Sequence, residues 1–336
     1  MGKRRLVEGN LYTYEILKRL GQGAFGEVSS ARVLETGQIV AIKRIPIRAL
    51  EGLPNNVIRE YKSLQLIEHR NVVTLHDVFP KGQALYLVQE FCVTDLSHVI
   101  KRQRRSIPDA IIKGLFRQIL FGLQALHSKG IVHRDIKPSN VLLSLTGVAK
   151  IGDLGLARPL DEQTRPNYTH TVATRWYRAP ELLYGSRTYG SSVDTWSAGL
   201  VLAELFALSP LVAGDSDINQ LNLTLQTFGD MEPKWPGVKS LPDYGKVSFP
   251  SSSGIPLDQL LPSAPPDAIA LLSKLLAYDP DSRPSLDEAL NAPYFVLDPA
   301  PANERTIAMW MARTLAAAEA VDAAAAQAAA AVNACW

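Results

Sequence analysis

The chain has 336 residues, 46% hydrophobic and 20% charged, which fits a soluble globular protein with room for two cores of unequal size and excludes disordered and fibrous classes. A formal net charge of +2 is too small to argue for nucleic acid or an anionic membrane, and no apolar run reaches the roughly 18–20 residues of a spanning helix. Two cysteines, Cys92 and Cys335, match no metal spacing and imply no disulfide framework, which fits a reducing, intracellular setting in cytoplasm or nucleus.

Residues 1–13 read as an N-terminal extension; the basic run Lys3-Arg4-Arg5 has no apolar stretch after it and so is no secretion signal. From Tyr14 to about Val88 the pattern is strand-like, as in Gln38-Ile39-Val40-Ala41-Ile42-Lys43. One helical interruption starts after Pro54 and carries Val57, Ile58, Tyr61, Leu64, Leu66 and Ile67. From Asp95 onward helices dominate, over Asp109 to Ser128, Ser192 to Ala207, Asp217 to Gly229 and Pro266 to Ala277. A small, mostly β lobe (14–90) and a larger, mostly α lobe (95–298) make an α+β fold, with no internal repeats. The basic run Lys101-Arg102-Gln103-Arg104-Arg105 reads as a solvated face. Residues 299–336 turn Ala-rich. Alanine favours helix but offers little apolar surface, so this tail is expected to be a marginal, mobile helix without chemistry.

Three stretches carry chemistry. Gly21-Gln22-Gly23-Ala24-Phe25-Gly26-Glu27-Val28 stands between β-type runs, and its glycines let backbone N–H groups approach a triphosphate with no Cβ in the way. Lys43, on a strand seventeen residues past Gly26, can pair with phosphates, and Glu60 is the carboxylate to hold it. The third is His133-Arg134-Asp135-Ile136-Lys137-Pro138-Ser139-Asn140, followed by Asp153-Leu154-Gly155. Phosphoryl transfer needs one carboxylate for the attacking hydroxyl, one cation for the moving group, and an amide with a second carboxylate for Mg²⁺.

The ordered set resembles the eukaryotic protein kinases, which implies the two-lobed kinase fold with ATP and Mg²⁺ in its cleft. On that resemblance Asp135 serves the substrate hydroxyl, Lys137 the transferring phosphoryl group, and Asn140 and Asp153 the metal; Thr174 bridges Asp135 and Lys137. Val28 presses on adenine, Glu90 and Cys92 belong to the hinge that contacts it, and Asp95 reaches the ribose. Gly21, Gln22, Gly23, Ala24, Gly26, Ala41, Lys43, Glu60 and Leu142 complete the expected nucleotide contacts. Gln89 stands at the gatekeeper position, where close relatives usually carry an aromatic residue, and Leu154 replaces the usual Phe of the metal motif. Glu181 and Arg283 are expected to form a buried ion pair, and Asp194 to tie down the catalytic loop.

The resemblance runs from about Tyr14 to Asp298 and narrows to cyclin-dependent and mitogen-activated kinases. In Trp176-Tyr177-Arg178-Ala179-Pro180-Glu181 the group's Arg178 satisfies a carbonyl near Val172, favouring a proline after the phosphoacceptor because proline has no N–H to leave unpaired. Residues from about 213 to 262 form the group's insert, and Pro54 to Glu60 resembles the helix that meets a cyclin. Leu241-Pro242-Asp243-Tyr244-Gly245-Lys246-Val247-Ser248-Phe249 is similar to the cell-cycle-related kinase branch of the cyclin-dependent family.

These likenesses imply protein substrates with Ser/Thr-Pro sites, a cyclin or cyclin-like activator, an upstream activating kinase and, by resemblance only, a ciliary association. Arg59, Arg134 and Arg158 would repel one another if brought together, and a phosphate on Thr169 would supply the charge and acceptors that hold them. Ala24 and Phe25 replace the Thr-Tyr whose phosphates block ATP in many cyclin-dependent kinases, so that switch cannot operate here. A mitogen-activated-type enzyme would need Thr-x-Tyr, whereas Tyr168-Thr169-His170 has the other order. A non-catalytic scaffold would be marked by loss of Lys43, Asp135, Asn140 or Asp153, and all four are present.

Overall fold

The computed structural model describes residues 5–23, 26–47, 53–160 and 175–333, from 320 onward as helical backbone only. Alternating apolar residues build a six-stranded antiparallel sheet in the order β1-β2-β3-β4-β6-β5. Its strands are β1 (Arg5–Glu8), β2 (Thr13–Gly23), β3 (Gly26–Val33), β4 (Ile39–Pro46), β5 (Leu75–Pro80) and β6 (Ala84–Glu90). Helix α1 (Asn55–Gln65) packs on one face through Val57, against Ile45, Leu85 and Leu87. Across the other face Tyr14, Phe79 and Tyr86 stack ring on ring among Val7, Val33 and Val88. Two sequence expectations shift here. Arg5–Glu8, inside the supposed extension, pairs with β2 from Arg5↔Ile16 to Glu8↔Thr13. Leu66 falls past the end of α1 and is exposed, because the helix closes at Gln65 with Leu66 as its cap.

The helical lobe follows. It contains β7 (Thr94–Asp95), α2 (Leu96–Arg102), α3 (Asp109–Ser128), β8 (Ile131–Val132), β9 (Val141–Leu143), β10 (Ala149–Ile151) and β11 (Arg158–Pro159). Beyond them lie α4 (Pro180–Leu183), α5 (Ser192–Ala207), α6 (Asp217–Phe228), α7 (Leu257–Leu260), α8 (Pro266–Leu275), α9 (Leu286–Leu290) and α10 (Glu304–Asn333). Helix α5 is buried on every side from Val193 to Phe206, which makes it the axis of the lobe. Helix α3 lies beside it and buries Lys113 completely, between Asp109 and Asp267, with the Leu297 carbonyl accepting at 3.0 Å and the Tyr294 ring beneath. An ammonium without water is tolerable only with such a full set of partners.

The Ala-rich tail does not behave as its composition suggested. Over its first turns α10 lies on α2 and α3, with Ile307 and Met311 buried, Ala318 beneath the surface, and Trp310 and Leu315 packed at the edge. The backbones meet closely: a Cβ on Gly114 would stand 2.4 Å from the Ala302 carbonyl oxygen, and one on Gly147 (φ +83°) 2.0 Å from that of Glu304. No helix among the described residues is long and apolar enough to cross a membrane.

Candidate active site

The site lies where the sheet meets the helical lobe. On the sheet side, β4 carries Lys43 and α1 carries Glu60, and the ammonium donates to both carboxylate oxygens at 2.7 and 2.9 Å. Glu60 is buried and Lys43 only 14% exposed, so the pair is stronger than a surface bridge. Burial acts to lower the Lys43 pKa, but Glu60 and then Asp153 outweigh it and hold the lysine above its ordinary value. Burial, and next Asp153, push Glu60 up against the pull of Lys43 and a hydrogen bond from Gln89. The two carboxylates act alike on Lys43 and favour its charged form. The proton stays on the lysine.

Gly21, Gln22 and Gly23 close β2, and Gly26 opens β3 with Val28 beyond it. A Cβ on Gly26 would come within 2.1 Å of the Arg44 carbonyl oxygen, whereas one on Gly21 would meet nothing within 4 Å, so Gly26 packs tightly on β4 while Gly21 faces open space. Ala24 and Phe25 lie outside the described residues. Ala41 stands opposite Gln89, the expected gatekeeper, across the β4–β6 pair. At the hinge Glu90 donates its N–H to the Thr74 carbonyl and pairs its carboxylate with Lys150 at 2.8 Å. Cys92 is a free thiol whose pKa burial, and then Glu90, push up to about 12. Asp95 spends one oxygen capping α2, accepting from the His98 N–H at 2.9 Å.

On the lobe side the catalytic loop leaves β8 in a backbone form few residues adopt: Arg134 has φ +69° and Asp153 φ +54°. The buried Asp194 of α5 over-determines the first, accepting from the N–H groups of His133 (2.8 Å) and Arg134 (2.7 Å) and bonding His127 at 2.8 Å. Burial alone would raise the Asp194 pKa; the His127 bond, the charges of His127 and His133, and the Arg134 N–H hold it below the ordinary value. His133 in turn reaches the Gly152 carbonyl at 2.9 Å and so fastens the loop to the segment bearing Asp153.

Within that frame one Asp135 carboxylate oxygen accepts from Lys137 at 2.7 Å and from the Asn140 amide at 3.0 Å, and the same amide reaches the Asp135 carbonyl at 2.8 Å. With its nitrogen so committed, Asn140 keeps its oxygen as a ligand. Asp153 is exposed, and its carboxylate with the Asn140 amide oxygen would offer hard-oxygen donors of the kind Mg²⁺ takes. Leu142, on β9, lies across from Lys150 of β10 and is half-buried. The structure thus gathers Lys43, Glu60, Asp135, Lys137, Asn140 and Asp153. Thr169 and Thr174 lie outside the described residues. Of the three arginines, Arg134 donates to the Leu156 carbonyl at 3.3 Å, Arg158 sits on β11 across from Val132, and Arg59 rides on α1, which packs on the Leu154–Leu156 turn. Glu181 and Arg283 meet in the core at 2.6 and 2.8 Å.

Sequence reasoning missed two groups. Lys150, nearly buried, donates to the Arg70 carbonyl at 2.7 Å and pairs with Glu90, linking the loop after α1 to the hinge. Asp217, at the start of α6, accepts from Arg175. A single charged residue in a strand or a first helical turn carries no local pattern that would have singled out either.

A family model described as protein kinase domain matches residues 14–295. Cyclin-dependent kinase 20 of Danio rerio is 45% identical over 293 residues, covering 86% of this chain and 85% of that protein. Cyclin-dependent kinase 7 of Xenopus laevis is 43% identical over 300 residues, 88% of this chain and 84% of its own. Cyclin-dependent kinase D-1 of Arabidopsis thaliana is 41% identical over 290 residues, 85% and 72% respectively.

Proposed function

The chain belongs to the protein kinase family and, within it, to the cyclin-dependent kinases; it is a serine/threonine protein kinase, and from that premise we propose a finer reading. It phosphorylates Ser or Thr followed by Pro, is switched on by phosphate at Thr169, and works with a cyclin or cyclin-like partner inside the cell. The observation that carries the catalytic part is the joint placement of Asp135, Lys137 and Asn140 beside Asp153, facing the buried Lys43–Glu60 pair.

When bound, ATP with Mg²⁺ supplies the phosphoryl group and the charge that neutralises its oxygens. Asp135 orients the substrate hydroxyl and accepts its proton at the oxygen that Lys137 and Asn140 already hold. Lys137, released toward the reacting centre, balances charge on the moving group. Asn140 and Asp153 would hold the cation through oxygen, and Lys43, kept protonated and in place by Glu60, would take the inner phosphates. Gly21 to Gly26, Val28, Ala41 and Leu142 enclose the nucleotide, with Glu90, Cys92 and Asp95 along its edge. Arg178, paired toward Asp217 at 3.7 Å, carries the preference for proline. Arg59, Arg134 and Arg158 receive the Thr169 phosphate, and α1 is the surface for the activator.

The test is phosphorylation of Ser-Pro and Ser-Ala peptide libraries by the purified chain with ATP and Mg²⁺, with Asp153→Asn as control. Labelling of Ser-Pro sites by the wild type once Thr169 is phosphorylated and a cyclin is added, absent from the control under the same conditions, is the expected result. Equal labelling of Ser-Ala would overturn the proline preference, and full activity in Thr169→Ala the activating role of Thr169. Silence after phosphorylation and addition of a cyclin would overturn the catalytic reading.

A further inference from the structure

Arg178 does not stand alone. Residues Arg175–Tyr177 form a 3₁₀ turn closed by the Arg178 N–H on the Arg175 carbonyl at 3.0 Å. In such a turn side chains three apart eclipse, so both guanidiniums rise on one side. They meet the same carboxylate oxygen of Asp217: Arg175 Nε at 2.7 Å and Arg178 Nη1 at 3.7 Å. Arg175 is further fixed by the Asp215 carbonyl at 3.0 Å.

The start of α6 is a prepared seat for this turn. Trp176 donates its indole N–H to the Gly214 carbonyl at 2.9 Å, while Gln220 accepts from the Gly214 N–H at 2.7 Å and donates to the Trp176 carbonyl at 3.2 Å. Ser216 caps the helix through the Asn219 N–H, so the Asp217 carboxylate is not needed as a cap. Its charge is spent on the arginines instead. Two guanidiniums this close repel one another unless a carboxylate stands between them, and a guanidinium has five donors, so one oxygen can fix its position while leaving others for a carbonyl.

We propose that Asp217 is a positioning residue for substrate selection: it holds Arg178 in the orientation that discriminates proline from other residues after the phosphoacceptor. This rests on Arg178 carrying the proline preference. Arg175 is the anchor of the arrangement, taking the stronger hydrogen bond and thereby fixing where the shared oxygen sits.

The experiment compares kcat/KM on paired Ser-Pro and Ser-Ala peptides for wild type, Asp217→Asn and Asp217→Glu, each activated in the same way and each checked by thermal melting. Asn keeps the size and an acceptor but removes the charge. The Pro/Ala ratio is expected to fall about three- to tenfold in Asp217→Asn, the worth of a partly exposed charge-assisted pair, and to stay near wild type in Asp217→Glu. A parallel fall on both peptides with the ratio unchanged would mean a structural role only and overturn the proposal. A wild type that accepts Ser-Ala as readily as Ser-Pro would instead remove the reading on which the proposal rests.

Discussion

Replacing Glu181 with alanine removes the carboxylate that pairs with Arg283, a side chain with no exposed surface. All five donors of that guanidinium are in use. Nε serves the Ala277 carbonyl, Nη1 serves Glu181 and the Ser192 carbonyl, and Nη2 serves Glu181 and the Tyr278 carbonyl, at 2.6 to 3.0 Å. The plane also lies over Trp196, 5.1 Å from the ring centroid. The variant therefore leaves a buried cation with two donors empty and its charge uncompensated. Breaking one side of such a pair costs about 3–5 kcal/mol. For a domain of this size the melting temperature should fall by roughly 4–8 °C. Thermal melting and urea titration read the effect. A leucine at both positions should not restore stability, because the carbonyls of Ala277, Ser192 and Tyr278 would each lose a donor at about 1–3 kcal/mol. A drop under about 2 °C in Glu181→Ala, or full recovery in the double variant, would refute this reasoning.

Asp194, held below its ordinary pKa in the fold, contributes stability that is fully present above the unfolded value of about 3.9 and is lost as pH falls through the lower folded value. Urea titrations through the acid range should show the gap between wild type and Asp194→Asn narrowing as pH falls below about 3.9; a constant gap would contradict it. With Cys335 replaced by serine, Cys92 should react with a thiol reagent at about pH 8 more than ~100-fold slower than free cysteine, its pKa being about 12. Labelling at the free-cysteine rate would mean that the hinge is open. Ile307→Ala should cost about 2–4 kcal/mol and Glu304→Ala less than about 1, because the first is buried whereas the Glu304–Arg70 pair is largely exposed. A neutral Ile307→Ala would mean that α10 is not docked.

The cluster of Asp135, Lys137 and Asn140, to which we assign catalysis, was legible in the sequence because the three stand on one short loop and bond one another there. The helices Asp109–Ser128 and Ser192–Ala207 were equally legible, since apolar residues filling long runs leave little choice of boundary. The sheet's first strand was not: Arg5–Glu8 is four residues long with only Val7 buried, too short to show alternation. The tail misled through its alanines. Ile307, Met311 and Ala318, with Trp310 and Leu315, make a stripe at helical spacing, and the Gly114 and Gly147 positions that admit it are far away in sequence. Asp217 and Lys150 stayed hidden for the same reason: their partners, Arg175 and Glu90, are distant along the chain, and nothing local marks either charge as shared.

The account stands or falls on proton acceptance at Asp135. The measurement is transfer of the ATP γ-phosphate to a Ser-Pro peptide by wild type and Asp135→Asn, with ATP affinity determined for both. The geometry predicts a fall in kcat of about a hundred- to ten-thousand-fold at nearly unchanged ATP affinity. Transfer at the wild-type rate by Asp135→Asn would contradict it.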